Sequence, residues 1–521
     1  MLLGIDIGTS SAKGLLLDPD GRLVAVTSRE YPIARPRPGW SEQDPAAWWD
    51  ATVLVVRELL ARAGIKAGEI RGIGLSGQMH GSVFLDDAAL ERAGSARIDA
   101  IRPALLWNDQ RTAPQCESIE RILGGRRATI RAVGNAALPG FTLPKLLWLR
   151  DHEPDAYARV AKLVNPKDFI NLNLTGIPTT DVGDASGTLL FDPTKRAWAL
   201  AALDTFGIDP DLLPTVLESG VVVGGLTSWA ANELGLCAGT PVVAGSGDNQ
   251  CGAIGAGVVE PGMIGATLGT SGVIYAHADE PRVDMPSSDG ADLPPPGRVH
   301  TMCAAAGERS WCNTGCMLAA AGALQWARDT LAPDTGFDEL MGEAAGVPVG
   351  AEGLVFMPHL SGERCPYPDP QARACWIGLS TRHTRAHMIR AVLEGVAFTM
   401  ARILDIMRSL PVPVNHIRIG GGGAKSHLWK QMHADVFGAP VSTPGTEEGP
   451  SFGAALLAGV GAGVWTCVEE ACDTTISIRE TIDPSPDARR YQPLRAVHDG
   501  LYDQLKGTFR ALDEGATPPT P

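Results

Sequence analysis

The sequence lacks the features that would place it among membrane proteins, nucleic-acid-binding proteins or secreted proteins. Its net charge of −15 over 521 residues argues against nucleic acid or a membrane surface as a partner. The longest apolar run, residues 453–465, is too short to cross a membrane and is rich in glycine and alanine. No secretory signal is expected, because the apolar run at the N-terminus is short and contains Asp6.

The cysteines lack the spacing of a metal site or a disulfide framework. All ten are scattered, and the Cys-x3-Cys pair of Cys312 and Cys316 has no histidine pair nearby. Free thiols in a reducing cytoplasm fit this distribution. We therefore expect a cytoplasmic globular protein, and the chain is long enough for two domains with substantial cores.

The most informative stretch is residues 2–13. A short apolar strand contains one carboxylate, Asp6, then breaks into glycine and hydroxyl residues, and Lys13 follows. The chain returns as a strand and turns at residues 18–21, which is a hairpin pattern. A hairpin tip with free N–H groups, hydroxyls and a lysine suits phosphate, although an ordinary surface hairpin is the alternative. An aspartate at its base can hold Mg²⁺, directly or through water.

Gly-Thr-Ser occurs a second time, at residues 269–271, again between an apolar segment and a strand. A third glycine cluster, residues 420–423, follows the strand predicted at 417–419, and glycines let a ligand approach the backbone closely. Each motif alone is weak, but their order is more specific. Together they predict two related domains that close on one nucleotide.

Polar side chains follow two further predicted strands, residues 71–76 and 104–107. The carboxyl ends of strands are where α/β sheets usually present a ligand site. The first loop brings Gln78 and His80, and we predict that His80 contacts the substrate. Trp107 is either a core residue or a platform for a sugar face. In the second loop, Asp109 and Arg111 form a salt bridge or contact the substrate directly.

Asp248 follows a buried strand that ends in Gly-Ser-Gly, and a helix is predicted from about residue 249 to 256. The plain interpretation is a capping aspartate. The surrounding glycines leave room for a substrate hydroxyl, so we predict that Asp248 is the catalytic base. The two roles are compatible.

The remaining chain shows helical patterns separated by turns. The predicted helices cover residues 45–63, 318–331, 387–410, 426–437 and 493–512, and residues 140–152 are predicted to form a turn and then a helix. A loop rich in Pro, Asp and Ser is predicted at 281–296, and the tail 514–521 is expected to be disordered. The first domain is predicted to end near residue 241, which divides the chain into 1–241, 242–485 and a C-terminal helix with its tail, 486–521.

These residues resemble the FGGY carbohydrate kinases over nearly the whole chain. Two segments have the family's spacing, residues 140–152 with Lys145 and Trp148, and Gly378-Leu379 followed by residues 387–394. Four loops, 40–45, 77–81, 106–109 and 361–364, are similar to those of the members that phosphorylate D-xylulose. Glycerol kinases carry Gln-Arg-Glu-Thr where this chain has residues 78–81, and gluconate kinases usually differ in the Trp-Asn-Asp loop.

The resemblance implies an α/β fold of two actin-like (ribonuclease H-like) ATPase domains with a ligand cleft between them. It implies transfer of a phosphoryl group from ATP, with Mg²⁺, to the C5 hydroxyl of D-xylulose. Asp248 would accept the proton, and Asp6 would act near the metal and the phosphates. Implied substrate contacts are Gln78, Met79, His80, Trp107, Asn108, Asp109 and Asn249. Implied ATP contacts are Gly8, Thr9, Ser10, Lys13, Gly269, Thr270, Gln325, Gly422, Gly423 and Ala424.

Other interpretations stay open at this point. The chain can be a related kinase for another sugar or polyol, such as ribulose or gluconate, a non-catalytic sugar sensor, or an actin-like or chaperone-like ATPase. Departures from the family pattern are Ser11, Ala321 and an insert at residues 90–102, and they affect loop geometry and nucleotide fit. A homodimer is suggested by the resemblance only.

Overall fold

The computed structural model of the protein describes residues 1–285 and 295–516, which form two seven-stranded sheets with helices packed on them. The strands, in chain order, are β1 Leu2–Ile7, β2 Ser11–Leu17, β3 Leu23–Glu30, β4 Glu42–Gln43, β5 Gly72–Gly77, β6 Val83–Leu85, β7 Ala104–Leu105, β8 Lys162–Val164, β9 Thr179–Asp181, β10 Phe191–Asp192, β11 Ala197–Trp198, β12 Thr215–Leu217, β13 Val222–Gly225, β14 Pro241–Val243, β15 Ser246–Gly247, β16 Gly262–Leu268, β17 Gly272–Ala278, β18 His300–Cys303, β19 Trp311–Met317, β20 Val355–Met357, β21 Cys375–Ile377, β22 Val414–Gly420, β23 Val441–Pro444 and β24 Ile478–Ile482.

The helices connect these strands and cover the sheets. In chain order they are α1 Pro45–Ala63, α2 Asp87–Arg92, α3 Ala113–Leu123, α4 Arg126–Val133, α5 Thr142–His152, α6 Pro154–Tyr157, α7 Pro166–Thr175, α8 Val182–Ser186, α9 Leu200–Phe206, α10 Ser228–Leu234, α11 Asp248–Gly255, α12 Ala321–Leu331, α13 Phe337–Ala345, α14 Arg385–Ser409, α15 His427–Phe437, α16 Gly449–Gly461, α17 Val468–Thr475 and α18 Ala488–Ala516.

The two large sheets share one topology. The first has the order β13-β14-β5-β1-β2-β3, and the second has the order β18-β19-β17-β16-β22-β23-β24. In the first sheet, β1 pairs antiparallel with β2 and parallel with β5; in the second, β16 pairs antiparallel with β17 and parallel with β22. The same hairpin-then-crossover unit is therefore built twice, as the repeated Gly-Thr-Ser motif predicts.

The side chains of β1 alternate between the face of the sheet covered by α1 and the face covered by α16. Leu3, Ile5 and Ile7 join the core cluster that contains residues of α1, whereas Leu2 joins the cluster formed with α16. Successive side chains of a strand point to opposite faces, so Asp6 lies on the same face as Leu2. Helix α16 packs very closely on that face of the sheet. A Cβ atom at Gly4 would lie 2.0 Å from the carbonyl oxygen of Ser451.

Helices α11 and α16 cross beneath the cleft at glycines. A Cβ at Gly453 would lie 1.9 Å from the carbonyl oxygen of Cys251, and one at Gly255 would lie 2.2 Å from that of Gly449. Only glycine permits backbones to approach this closely. Cys251 of α11 meets Gly453 of α16 and Gly255 meets Gly449, so the two helices run in opposite directions at the crossing, and the N-terminal end of α16 packs against the C-terminal half of α11.

Most predicted helices are found within a few residues of their expected bounds. Helix α1 has Asp44 as its N-cap, Pro45 in its first turn and Gly64 in the left-handed region after its end. Helix α18 starts earlier and ends later than predicted, and it includes Pro493. Residues 286–294 of the predicted 281–296 loop and residues 517–521 of the predicted tail lie outside the described residues.

The predicted domain boundary falls inside the first sheet. Strand β14, Pro241–Val243, pairs with β13 and β5, and β15 pairs with β5. The first sheet therefore extends past residue 241. The division into 1–241, 242–485 and 486–521 stays a prediction.

Candidate active site

The first Gly-Thr-Ser hairpin joins β1 and β2 and places Asp6 opposite Lys13. The Ser76 hydroxyl donates to Asp6 Oδ1 over 2.9 Å. Burial raises the pKa of Asp6 to about 6, although the Ser76 hydrogen bond and the charge of Lys13 oppose this shift. The ammonium of Lys13 lies 3.0 Å from a carboxylate oxygen of Glu448, just before α16. The hairpin thus combines a perturbed carboxylate with a lysine held at the cleft.

Four side chains hold this hairpin in its conformation. Gln43 donates to the carbonyl of Thr9 over 2.7 Å, and the Trp107 indole donates to the Thr9 hydroxyl over 2.9 Å. Gln78 donates to Gln43 over 2.9 Å, and Tyr31 donates to the carbonyl of Gly8. Ser10, at the tip, is exposed. The two loops predicted to contact the sugar are residues 77–81, the first sugar loop, and residues 106–109, the second sugar loop. Direct hydrogen bonds therefore link both of them to the first Gly-Thr-Ser hairpin.

Asp248 is the first residue of α11, and Gly247 occupies the cap position. Asp248 therefore lies in the first turn of the helix, one residue after the cap position that the plain interpretation gave it. Burial, followed by the negative charge of Asp6, raises the pKa of Asp248 to about 7, against the opposing backbone N–H groups of Asn249 and Asp248. A carboxylate with a pKa near neutrality is suited to proton transfer.

The strand before Asp248 is supported by a completely buried ionic cluster. The Lys167 ammonium lies 2.5 Å from Asp168, 3.0 Å from Asp181 and 3.4 Å from Asp184. Asp181 also accepts from the Ser246 hydroxyl over 2.6 Å.

A cavity of about 890 Å³ lies between the second sheet, one face of α11 along its length and the N-terminal end of α16. Asp248 lines it together with Thr267, whose side chain is exposed on β16. Of the predicted nucleotide contacts, Gly422 and Ala424 line the same cavity, and Gly423 is buried between them. The structure therefore brings the predicted base and the third glycine cluster to one cavity.

The second hairpin joins β16 and β17 and packs on the start of α12. The carbonyl of Gly269 accepts from Ala321 over 2.8 Å, and that of Thr270 accepts from Ala320 over 2.9 Å. The Thr270 side chain is left exposed at the tip. Gln325 is exposed on α12, four residues after the start of the helix on which this hairpin packs, and it is not among the residues that line the cavity.

The first sugar loop is built around His80, which has a φ of +65°. Its Nδ1 lies 2.9 Å from the carbonyl oxygen of Gly187, and its ring contacts Phe141 with centroids 4.8 Å apart. Burial lowers the pKa of His80 to about 3, so the imidazole is neutral at neutral pH. Met79 is buried beside it, and its sulfur lies 3.6 Å from the Asn249 amide nitrogen.

In the second sugar loop, Trp107 and Asn108 are accessible to a ligand, whereas Asp109 supports the loop from the interior. Trp107 and Asn108 are half-buried, and Asn108 Oδ1 has no hydrogen-bond partner among the described residues. Asp109 is completely buried, and its carboxylate accepts from Arg111 and from the backbone of Ser41. The salt bridge left open by the sequence is thus present. The structure does not bring Asp109 to the cleft with His80.

Family models place this geometry among known proteins. Residues 1–255 match the N-terminal domain of the FGGY family of carbohydrate kinases, and residues 265–462 match its C-terminal domain. The chain belongs to the FGGY family of carbohydrate kinases. The predicted fold is confirmed, because FGGY kinases have two actin-like ATPase domains. As an FGGY kinase, the protein is an enzyme that uses ATP and a divalent metal to phosphorylate a small sugar.

Individual FGGY relatives match nearly the whole chain. The xylulose kinase of Bacillus subtilis (strain 168) is 36% identical over 512 residues, which cover 98% of each chain. The crystal structure of the xylulose kinase from Rhodospirillum rubrum has a TM-score of 0.87 at 29% identity, covering 98% of this chain and 99% of that one. A gluconate kinase from Lactobacillus acidophilus has a TM-score of 0.89 at 25% identity, with the same coverage.

Sequence reasoning about this FGGY kinase missed three residues of the site. Ser76 ends the strand β5 and bonds Asp6, and its polarity in an otherwise apolar strand was the available signal. Phe141 and His300 lie with ring centroids 5.3 Å apart beside His80. His300 comes from the second half of the chain, and no local pattern marks it. Within residues 1–285 and 295–516, no helix is long and apolar enough to span a membrane.

Proposed function

We propose that the protein transfers the γ-phosphoryl group of ATP to the C5 hydroxyl of D-xylulose, giving D-xylulose 5-phosphate. The proposal is supported by the names of the full-length relatives and by the loops at residues 77–81 and 106–109. The observation that carries it is the position of Asp248. This carboxylate lines the cleft cavity, while the next residue, Asn249, reaches Met79 of the first sugar loop.

In this mechanism the ketose lies between His80 and Asp248, and its terminal hydroxyl points toward the phosphates. Because a carbonyl oxygen only accepts hydrogen bonds, His80 Nδ1 carries its proton toward Gly187, and Nε2 is left to accept a hydrogen bond from a sugar hydroxyl. Asp248 accepts the proton of the attacking hydroxyl as transfer proceeds. Positioning and charge neutralisation provide most of the acceleration in phosphoryl transfer, and a placed base adds about 10²–10⁴-fold.

The residues present fit a magnesium ion near Asp6. One oxygen of Asp6 accepts from Ser76, and no described residue donates a hydrogen bond to the other, so it can bind a hard cation directly or through water. Such an ion would neutralise charge on the phosphates. Lys13 and the backbone N–H groups of both hairpins would add positive potential on the same side of the cleft.

Exclusion of water is a further requirement, since water accepts a phosphoryl group as readily as a sugar hydroxyl does. Closure of the two halves about the glycine crossing of α11 and α16 would remove water from the cleft.

We also propose that the protein is cytoplasmic. The homodimer suggested by the resemblance stays a prediction.

The test is ADP release by the purified protein with Mg-ATP and a panel of D-xylulose, D- and L-ribulose, D-gluconate, glycerol, ribitol and xylitol. We expect kcat/KM for D-xylulose to exceed the others by orders of magnitude. Gluconate is the second candidate, because the gluconate kinase from Lactobacillus acidophilus superimposes closely. A preference for gluconate would overturn the proposed substrate but keep the reaction class. No sugar-dependent release would favour a sensor.

The role of Asp248 is tested in the variant Asp248→Asn. Turnover should fall by about a thousandfold, while ATP binding, measured by calorimetry, stays within about threefold. The matched control is Asp338→Asn, because Asp338 is an exposed acid in the first turn of α13. Near-normal turnover in Asp248→Asn would contradict the assignment of the base.

A further inference from the structure

A buried lysine links the two sugar loops. Lys145, on α5, is completely buried, and its ammonium donates to the carbonyl oxygens of His80 and Gly140, each over 2.8 Å. Thr142, in the first turn of the same helix, donates to the His80 carbonyl over 3.4 Å. Gly140 in turn packs against the second loop, where a Cβ on it would lie 2.5 Å from the carbonyl oxygen of Trp107.

The backbone that Lys145 holds is an unfavourable one. His80 has a φ of +65°, in the left-handed region that residues with a Cβ rarely adopt. Such a conformation persists only where the surroundings impose it, and it is common at ligand sites. At His80, the Lys145 ammonium holds the backbone carbonyl, and the Gly187 carbonyl holds the imidazole ring. Gly187 cannot be larger, because a Cβ on it would lie 2.3 Å from His80 Nδ1.

We propose that Lys145 is a positioning residue of the sugar site, which holds the His80 peptide in its left-handed conformation and thereby directs the imidazole toward the ketose. Lys145 acts through His80 and, by way of Gly140, on the Trp107 loop. It makes no contact with the phosphate hairpins. Its removal should therefore weaken sugar binding selectively and leave nucleotide binding intact.

The charge environment of Lys145 is consistent with this role. Burial lowers the pKa of Lys145 to about 7, an effect opposed by Asp109 and reinforced by Arg111. The negative charge of Asp109 is already shared with Arg111, whose Nε donates to Oδ1 and whose Nη2 donates to Oδ2. The two loop carbonyls are thus the hydrogen-bond acceptors that satisfy the lysine. Removing the lysine would leave the Gly140 carbonyl without this donor and the His80 carbonyl with only the long hydrogen bond from Thr142.

The experiment compares Lys145→Met with Lys162→Met. Lys162 also donates to two backbone carbonyls, those of Asp211 and Leu213, but at the end of the β6–β8 pair remote from His80. For Lys145→Met we expect the KM for D-xylulose to rise about tenfold or more, because buried acceptors lose their partner. The KM for ATP and the kcat at saturating sugar should change by less than about threefold. Lys162→Met should leave all three values unchanged.

An unchanged KM for D-xylulose in Lys145→Met, or a parallel loss of kcat and of both affinities, would overturn the proposal, because either result indicates a general structural role. If Lys145→Met does not fold, Gly187→Ala replaces it. The φ of Gly187 is −87°, so alanine fits the backbone, and its Cβ displaces the His80 ring from the other side. Gly187→Ala should show the same selective rise in the sugar KM, and its absence would equally overturn the proposal.

The proposal rests on the proposed function, because it assumes that the ketose lies against His80, and the two can fail separately. If the wild-type protein phosphorylates no sugar, the proposed function is wrong. The positioning role is then decided by the crystal structure of Lys145→Met. A His80 φ that leaves the left-handed region supports it, and a φ that stays near its present value overturns it.

Discussion

The two Gly-Thr-Ser hairpins occupy equivalent places in their sheets but differ in charge. Aligned on the motif, Gly4 corresponds to Gly265, and Asp6 corresponds to Thr267. Both hairpins join antiparallel strands at the cleft. The first carries a carboxylate and a lysine, whereas residues 265–272 contain no titratable side chain. One fold unit has thus been used twice, and only the first copy carries titratable side chains, Asp6 and Lys13.

This difference indicates a division of roles. Under the proposed function, the first hairpin, with Asp6 and Lys13, would bind the metal and neutralise the charge of the phosphates. The second, with Thr270 exposed at its tip, offers backbone N–H groups and hydroxyls. The packing differs too, since Gly4 is pressed against α16 and Gly265 lies at the cavity.

Substituting the two equivalent side chains, Asp6 and Thr267, one at a time gives the largest expected difference in kcat. Asp6→Asn should lower kcat by about a hundredfold or more, because a carboxylate that holds the metal supports several kcal/mol of charge stabilisation. Thr267→Val keeps the shape of an exposed strand residue, so kcat should change by less than about threefold. Steady-state ADP release measures both. Equal losses in the two variants would contradict the division of roles.

The two equivalent glycines should differ in stability. In Gly4→Ala the new Cβ would meet the Ser451 carbonyl at 2.0 Å, whereas in Gly265→Ala the nearest atom is 3.6 Å away, which is an ordinary contact. We expect Gly4→Ala to destabilise the fold by about 3 kcal/mol and Gly265→Ala by less than about 1 kcal/mol. Urea unfolding measures both values. A Gly4→Ala variant as stable as the wild type would show that α16 can shift without loss.

Much of this comparison could be predicted from the sequence, and part of it could not. The repeated motif and the strands around it are local patterns, so both hairpins could be predicted, and so could the position of Asp248 at the start of a helix; its role as the base stays a prediction. The salt bridge of Asp109 with Arg111 was one of two open interpretations, because a strand-end polar residue looks the same whether it faces substrate or a partner. His300 and the bond from Lys145 to His80 depend on residues brought together from distant segments, so no spacing reveals them.

The loss of activity at low pH is expected to follow the protonation of Asp248 and of Asp6 in the first hairpin. A base must be ionised, so raising its pKa to about 7 means that activity is lost as the pH falls through 7. Below that value kcat/KM should fall about tenfold per pH unit, and more steeply below about 6, where Asp6 also gains a proton. His80 stays neutral and adds no step. A midpoint near 4 would contradict the raised pKa.

The ion pair between Lys13 and Glu448 gives the smallest expected effects. Its side chains are 40% and 23% exposed, so the pair itself adds little to stability. Lys13→Met should raise the KM for ATP about tenfold, because a charge-assisted hydrogen bond to phosphate is lost. Glu448→Gln should lower that KM by about threefold or less, because Lys13 no longer has a competing carboxylate. If Glu448→Gln instead raised the KM for ATP, the carboxylate would be orienting Lys13 toward the nucleotide, and the first hairpin would depend on α16 for its charge as well as for its packing.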